Sequence, residues 1–132
     1  GKEVKMSIFK DDIPIYLQLR QQIEEQILAE TLKEGDKLKS LRLLAAEYRI
    51  NPITAGNAVN ALVDEGVLFQ KRGIGVFVSL GARDIIIHNR YDDFIRDTLT
   101  PALKLAKSYE MPQSELNDLI LKIYGENDEQ DD

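Results

Sequence analysis

The chain contains no cysteine, no tryptophan and a single histidine. None of its apolar runs approaches the roughly 20 residues needed to cross a bilayer. The missing cysteines exclude a disulfide framework, a thiolate metal site and a cysteine nucleophile; the redox compartment stays open, and a reducing cytoplasm fits. The lone His88 has no nearby nucleophile to activate. No phosphate-cradling loop ending in Lys-Ser or Lys-Thr is present, and Gly73-Ile74-Gly75 reads as hairpin punctuation instead of a dinucleotide loop. A protein without enzymatic activity and without a cofactor is therefore expected. No charged leader precedes an apolar segment, so the expectation is a soluble, cytoplasmic chain with no membrane partner. Gly1 stands where a start methionine would and is read as a remnant of preparation, outside the fold.

Positive charge is also scarce. Against 23 Asp and Glu there are 17 Lys and Arg, a net charge of −6. Taken whole, this argues against a nucleic-acid partner, whose phosphates need a basic footprint. Divided along the chain, the balance changes. Residues 1–30 carry 4 basic and 6 acidic groups, residues 31–80 carry 7 and 5, and residues 81–132 carry 6 and 12. Only the middle segment is net positive. Five acids fall in the last seven residues, Glu126 to Asp132, with no apolar side chain among them, and an acidic disordered tail is expected there. The remainder, 43% apolar and 30% charged over 132 residues, suffices for one small domain with an appendage.

Residues 1–12 show no clean period and end in Asp11-Asp12, which reads as a cap ahead of Pro14 in a first helical turn. Ile15, Leu19, Ile23 and Ile27 recur every four residues, with Gln18, Gln22, Glu25 and Gln26 on other faces, and predict an amphipathic helix over 14–29. Lys33-Glu34-Gly35-Asp36 reads as a turn. Ser40 is a good N-cap for a short helix at 41–48 with Leu41, Leu44, Ala45 and Tyr48 inward. Asn51-Pro52 is the strongest start signal in the chain, a cap followed by proline at the first helical position. That helix should run to about Asp64, bury Ala55, Ala58, Val59 and Leu62, and stop at Gly66 in a left-handed conformation.

Two such helices joined by a tight turn spell a helix-turn-helix. Val67-Leu68-Phe69 and Val76-Phe77-Val78 flank a connection with two glycines and two cations, which predicts a β-hairpin with a basic tip. Beyond a hinge at Ser79 to Arg83, a stripe of Ile87, Tyr91, Phe94, Ile95, Thr98, Leu99, Ala102, Leu103 and Ala106 predicts a long helix over 84–109. Pro101 should kink it near Asp97. Met111-Pro112-Gln113 breaks the chain, and Leu116, Leu119, Ile120 and Ile123 define a last helix at 114–124, ended by Gly125. The fold class is thus mainly α with a small β-hairpin. A winged helix-turn-helix (1–80) is followed by a two-helix C-terminal dimerisation segment (81–125) and the tail (126–132). Two helices cannot close a core alone, so a second copy of the chain is the expected partner.

In their order and spacing, the residues from Pro14 to Val78 resemble the GntR family of bacterial transcription regulators. The pieces that carry the resemblance are Pro14-Ile15-Tyr16, the run from Leu32 to Leu38, Ser40-Leu41-Arg42, Asn51-Pro52-Ile53-Thr54, the Leu62 to Gly66 helix ending, and Arg72-Gly73-Ile74-Gly75-Val76-Phe77-Val78. Each is weak alone; together, in register, they are specific. The short two-helix tail is similar to that of the family's YtrA-like branch, whose C-terminal part dimerises. The resemblance implies a winged-helix DNA-binding fold and a homodimer acting as a sequence-specific regulator, a repressor, on a palindromic operator in double-stranded DNA. Three positions depart from the family pattern. Lys39 stands where proline is usual, Gly56 where a bulky or basic residue is usual, and Ile74 where a cation is usual. Gly56 inside the second helix of the motif costs about 1 kcal/mol against alanine, so a close approach to its backbone is expected.

The DNA-binding candidates follow. Arg42 matches the family's phosphate-contacting arginine, and a guanidinium fork suits a phosphate; a surface pair with Glu47 or Asp36 is the plainer alternative. Lys39 and Ser40 stand just ahead of it. Asn51, Pro52, Ile53 and Thr54 make a helical first turn, whose free N–H groups and positive dipole end favour phosphate. Thr54 can bond a phosphate, Ile53 can meet a thymine methyl, and Asn57 can read adenine. Asn51 reads first as a cap, and Asn57 and Asn60 serve equally well as solvated helix positions. Lys71, Arg72 and Gly73 form the wing tip, where a cation beside a glycine can enter a narrow minor groove; many hairpin tips are polar without binding anything.

Ile87, Tyr91, Phe94, Ile95, Leu99 and Leu103 are the expected dimer contacts. Asp84, His88 and Asp92 share a helical face, but metal sites usually converge from several elements, and no metal is assigned. Tyr16, Tyr48, Tyr91 and Tyr124 are expected in the core and not around a cofactor. Two final helices already committed to dimer packing leave little room for a ligand cavity of ~300 Å³, so no small-molecule effector is expected. A second reading, from a different class, is a winged-helix protein–protein interaction module without specific DNA binding, because the middle segment is only modestly positive.

Overall fold

A computed structural model describes residues 13–126; the Asp11-Asp12 cap and the acidic tail after Glu126 lie outside the described residues. The elements are α1 (Ile15–Leu28), α2 (Leu41–Tyr48), α3 (Pro52–Asp64), β1 (Leu68–Lys71), β2 (Gly75–Val78), α4 (Ala82–Phe94), a π-helical stretch (Ile95–Leu99), α5 (Thr100–Ser108) and α6 (Gln113–Tyr124). The chain divides into two compact units between Asn89 and Arg90, within α4.

The first unit is a winged helix-turn-helix. Its core unites Leu19, Ile23 and Ile27 of α1, Leu38, Leu44 and Ala45, the Ala55, Ala58, Val59 and Leu62 face of α3, and Val67, Leu68, Val78, Ala82 and Ile86. Each buried side chain of α3 falls at the i, i+3, i+4, i+7 spacing that one helical face requires. Both caps read from the sequence are present: Ser40 Oγ accepts from Leu43 N–H at 3.2 Å and Asn51 Oδ1 from Ile53 N–H at 2.7 Å. Gly66 follows α3 with φ +83°. The Lys33 turn closes through Asp36, whose carboxylate accepts from Lys33 N–H at 2.8 Å.

Burial differs from the sequence expectation at several positions. Ile15 and Leu41 are 43% and 40% exposed, each at the open first turn of its helix, where fewer neighbours can cover it. Tyr16, Tyr91 and Tyr124, also expected inside, are 37%, 61% and 87% exposed and belong to no core. Ala82 and Ile86, placed by sequence in or just past a hinge, are fully buried in the first unit's core.

The hairpin pairs Leu68 with Val78, Phe69 with Phe77, Gln70 with Val76 and Lys71 with Gly75, antiparallel. A second edge forms on β2, which the sequence does not announce. Lys37 bridges Phe77, Leu38 N–H donates to Val76 O at 2.7 Å, and Val78 N–H donates to Asp36 O at 2.9 Å. β2 is therefore the middle strand, held from both sides.

The second unit contains no buried side chain among its described residues. Its π-helical turn is centred on Asp97, where the kink was expected. Pro101 has no N–H to give to the carbonyl four residues back, and Thr100 N–H reaches Ile95 O, five back, instead. Such a bulge absorbs the missing bond.

Candidate nucleic-acid interface

α3 is anchored at one end and open at the other. Its apolar face is buried in the core, and Glu65, which caps its C-terminus, accepts a hydrogen bond from the Arg20 guanidinium of α1. Arg20 Nε also lies 3.7 Å from Glu24 Oε2, a carboxylate buried in the same helix. This cluster of charges pins the trailing end of α3 to α1. The leading end carries Asn51, Pro52 and Ile53 in exposed positions, with Ile53 73% exposed, and Thr54 half-buried. Asn57 and Asn60 are exposed on the same helix. Helix N-termini present N–H groups and the positive end of the dipole, so this open end suits an anion and the edges of a polar surface.

Lys39, Ser40 and Arg42 surround the start of α2. Ser40 caps the helix. Lys39 Nζ pairs with Glu47 Oε1 at 2.7 Å across the exposed face of α2, and that hydrogen bond, with the charge of Glu47, holds the Lys39 ammonium above its ordinary pKa. Glu47 and Asp36, the two carboxylates that offered Arg42 a surface pair, are occupied by Lys39 and by Lys33 N–H. Among the described residues Arg42 has no ion-pair partner.

The close approach expected at Gly56 is not found; its nearest neighbour is Leu41 on α2. A methyl group placed on Gly56, which is buried, would lie 3.6 Å from Leu41 Cδ1. That is ordinary van der Waals contact, so no steric demand for glycine exists there, and the position faces the partner helix, away from solvent.

In the wing, Lys71 is the last residue of β1, and its ammonium sits 5.1 Å from the Phe77 ring centroid, within cation–π range. Phe77 in turn stacks on Phe69 at 5.7 Å. The turn itself is Arg72-Gly73-Ile74, with Gly73 at φ +77°. One cation here was missed by sequence reasoning. The side chain of Lys37 runs over Gly75, where an added Cβ would come within 2.8 Å of its Cε. The signal for it, a glycine opposite a lysine 38 positions earlier, is visible only once the Lys37–Phe77 bridge is known. From Lys37 the chain reaches the Ser40 cap in three residues, so the wing edge and the start of α2 are joined by a short tether.

Of the apolar row expected to dimerise, Ile87 lies in the first unit, while Tyr91, Phe94, Ile95, Leu99 and Leu103 lie in the second; all six are between 37% and 61% exposed. Asp84, His88 and Asp92 are exposed, and the described residues hold no group of three ligands suited to a metal ion. No helix among the described residues is long and apolar enough to cross a membrane.

Comparison with known proteins agrees with this geometry. Residues 15–78 match the model of the bacterial regulatory proteins of the gntR family. The HTH-type transcriptional regulator YhcF of Bacillus subtilis is 30% identical over 108 residues, covering 82% of this chain and 88% of that protein. The HTH-type transcriptional repressor YtrA of the same organism is 36% identical over 81 residues, covering 61% of this chain and 62% of that one. A GntR family transcriptional regulator from Listeria monocytogenes has the same fold, with a TM-score of 0.67 at 24% identity over 86% of this chain and 98% of its own. These relatives are regulators of transcription, not enzymes, and the YtrA resemblance read from the tail has its counterpart among them. The helix-turn-helix, the wing and the relatives converge, and the chain belongs to the GntR family of bacterial regulatory proteins.

Proposed function

We propose that the chain is a homodimeric repressor that binds a palindromic operator, with α3 in the major groove and the wing in the adjoining minor groove. The observation that carries this reading is the open leading turn of α3. Ile53 is 73% exposed on a helix whose other face is buried, which leaves an apolar group free to meet a thymine methyl. Thr54 and the unpaired Arg42 take phosphates, and Asn57 takes a base edge. Asn51 contributes as the cap that keeps the turn intact. Ser40 does the same for α2, and Lys39 adds charge beside it. Pro52 fixes the direction in which α3 enters. Arg72 and Gly73 approach the minor groove, while Lys71 supports the hairpin from its place over Phe77.

The dimer rests on the apolar row of the second unit, which a partner copy would cover. Two α3 helices related by a two-fold axis would then meet half-sites about one helical turn apart. In this reading the expected 1–80 head is extended by the start of α4, whose Ala82 and Ile86 belong to its core, and the dimerisation segment is the remainder up to residue 125, with the tail beyond it. No effector is part of this reading; regulation through the second unit would be detected as a metabolite that raises the melting temperature and alters operator affinity together.

The test is selection of a duplex from a random pool, followed by a salt series. A bound palindrome with log affinity falling linearly in log salt supports the reading. Enrichment of no sequence, with salt-independent capture of a protein partner, would instead favour an interaction module.

A further inference from the structure

We infer that α3 reads only A·T pairs in the major groove, thymine through Ile53 and adenine through Asn57, and makes no guanine contact of its own; this deepens the operator-binding reading above and rests on it. α3 holds no lysine or arginine anywhere from Pro52 to Asp64. Its exposed residues are Pro52, Ile53, Asn57, Asn60 and Asp64. The last four stand at i, i+4, i+7 and i+11, the spacing of one helical face, while Ala55, Ala58, Val59 and Leu62 are buried in the core.

Elimination leaves two groups to meet a base. Asn51 Oδ1 is held by Ile53 N–H at 2.7 Å. Pro52 has no donor, Gly56 is buried and has no side chain, and Thr54 is half-buried. Asp64 stands ~16 Å along the helix axis from Ile53. A carboxylate there repels phosphate and turns the trailing end away from the duplex, so α3 enters by its first two turns. Those turns present Ile53 and Asn57; Asn60, ~10 Å beyond Ile53, lies outside them.

The chemistry of the two groups selects the base. Adenine offers an N7 acceptor and an N6 donor, and a side-chain amide meets both at once. Guanine offers two acceptors, N7 and O6; the Asn57 NH2 can satisfy one, but its carbonyl oxygen then faces the other. Thymine presents a methyl group for Ile53 to cover. Cytosine presents an amino donor in the same groove, which an apolar group would bury without an acceptor, at a cost. Guanine is most often read by arginine or lysine, and the cations of this site stand off α3: Lys37 and Lys39 ahead of α2, Arg42 on it, Lys71 at the end of β1 and Arg72 in the wing turn.

The experiment uses the full chain and the duplex enriched from the random pool. Within each half-site every thymine is replaced in turn by deoxyuridine, which lacks only the methyl group, and every adenine by 7-deazaadenine, which lacks the N7 acceptor. Guanines are replaced by 7-deazaguanine. One uracil position should weaken binding about fourfold, and one deazaadenine position about tenfold. Ile53→Ala should abolish the uracil penalty and leave the deazaadenine penalty; Asn57→Ala should do the reverse. Both positions are exposed, so melting temperature should hold in both variants. Asn60→Ala should change neither penalty. Penalties that survive both substitutions, or a deazaguanine penalty that disappears in Asn57→Ala, would overturn the inference while leaving operator binding intact. Failure to enrich any duplex would overturn both.

Discussion

Lys39 and Arg42 stand three residues apart at the start of α2 and differ in what they hold. Lys39 is engaged by Glu47, and because this raises the ammonium's pKa the pair's contribution is fully present at neutral pH and is lost only as pH climbs beyond the ordinary 10.5. Arg42 has no such partner among the described residues. Arg42→Ala should therefore weaken binding to every duplex about equally and lower the salt slope by about one ion; loss confined to the selected operator would make Arg42 a base reader instead. Glu47→Gln should do the opposite. With Lys39 released and a carboxylate removed from beside the phosphates, affinity should rise for all duplexes and the salt slope steepen, in titrations at fixed pH. Gly56 gives a third residue-level expectation. Its nearest neighbour is at 3.6 Å, so Gly56→Ala should raise stability by about 0.5–1 kcal/mol, seen as a higher melting temperature.

Among elements, α3 depends on α1 through the Arg20, Glu24 and Glu65 cluster. Removing one member of a buried ion cluster leaves the others uncompensated. Since Glu65 keeps 31% of its side-chain exposure, Arg20→Ala should cost about 2 kcal/mol in chemical denaturation, below the roughly 3–5 kcal/mol of a fully buried pair. The starts of α2 and α3 were legible in the sequence because Ser40 and Asn51-Pro52 spell caps whose side chains do what the residue types suggest. The hairpin was legible through Gly73 and Gly75, and Pro101 located the irregularity near Asp97, which is a π-helical turn where a kink was expected. The ends of three helices fell within a residue of where the sequence placed them, but the left-handed residue after each was not legible. α1, α2 and α5 stop at Glu30, Arg49 and Glu110, which take φ of +63°, +57° and +61°, and charged residues carry no local stop signal of the kind glycine does. Ile85-Ile86-Ile87 hid which side of α4 faces the core, since an unbroken apolar run has no period to read. The Lys37 edge of the wing depends on pairing across 40 positions, beyond the reach of any local pattern, and with it went the one cation that the candidate site lacked.

At the scale of the molecule, the first unit has a buried core and the second has none among its described residues. The exposed apolar row is the surface on which the proposed dimer would close. Sedimentation of the full chain should give twice its 15.0 kDa. Leu103→Asp, at a position 40% exposed in the single chain, should shift it to monomer and weaken operator binding by the loss of the second half-site, with the fold of the first unit unchanged by circular dichroism. A monomeric full chain at micromolar concentration would sink this. The burial of Ala82 and Ile86 in the first unit also bears on how such a protein can exchange its parts during evolution. A gene fusion joined at Gly81 would leave the head with an unfilled hole where Ile86 sits, a defect costing about 2–5 kcal/mol for a large aliphatic side chain. Crossovers that swap the C-terminal half for another are tolerable only past Asn89, so the inherited unit is the winged helix together with the first turns of α4.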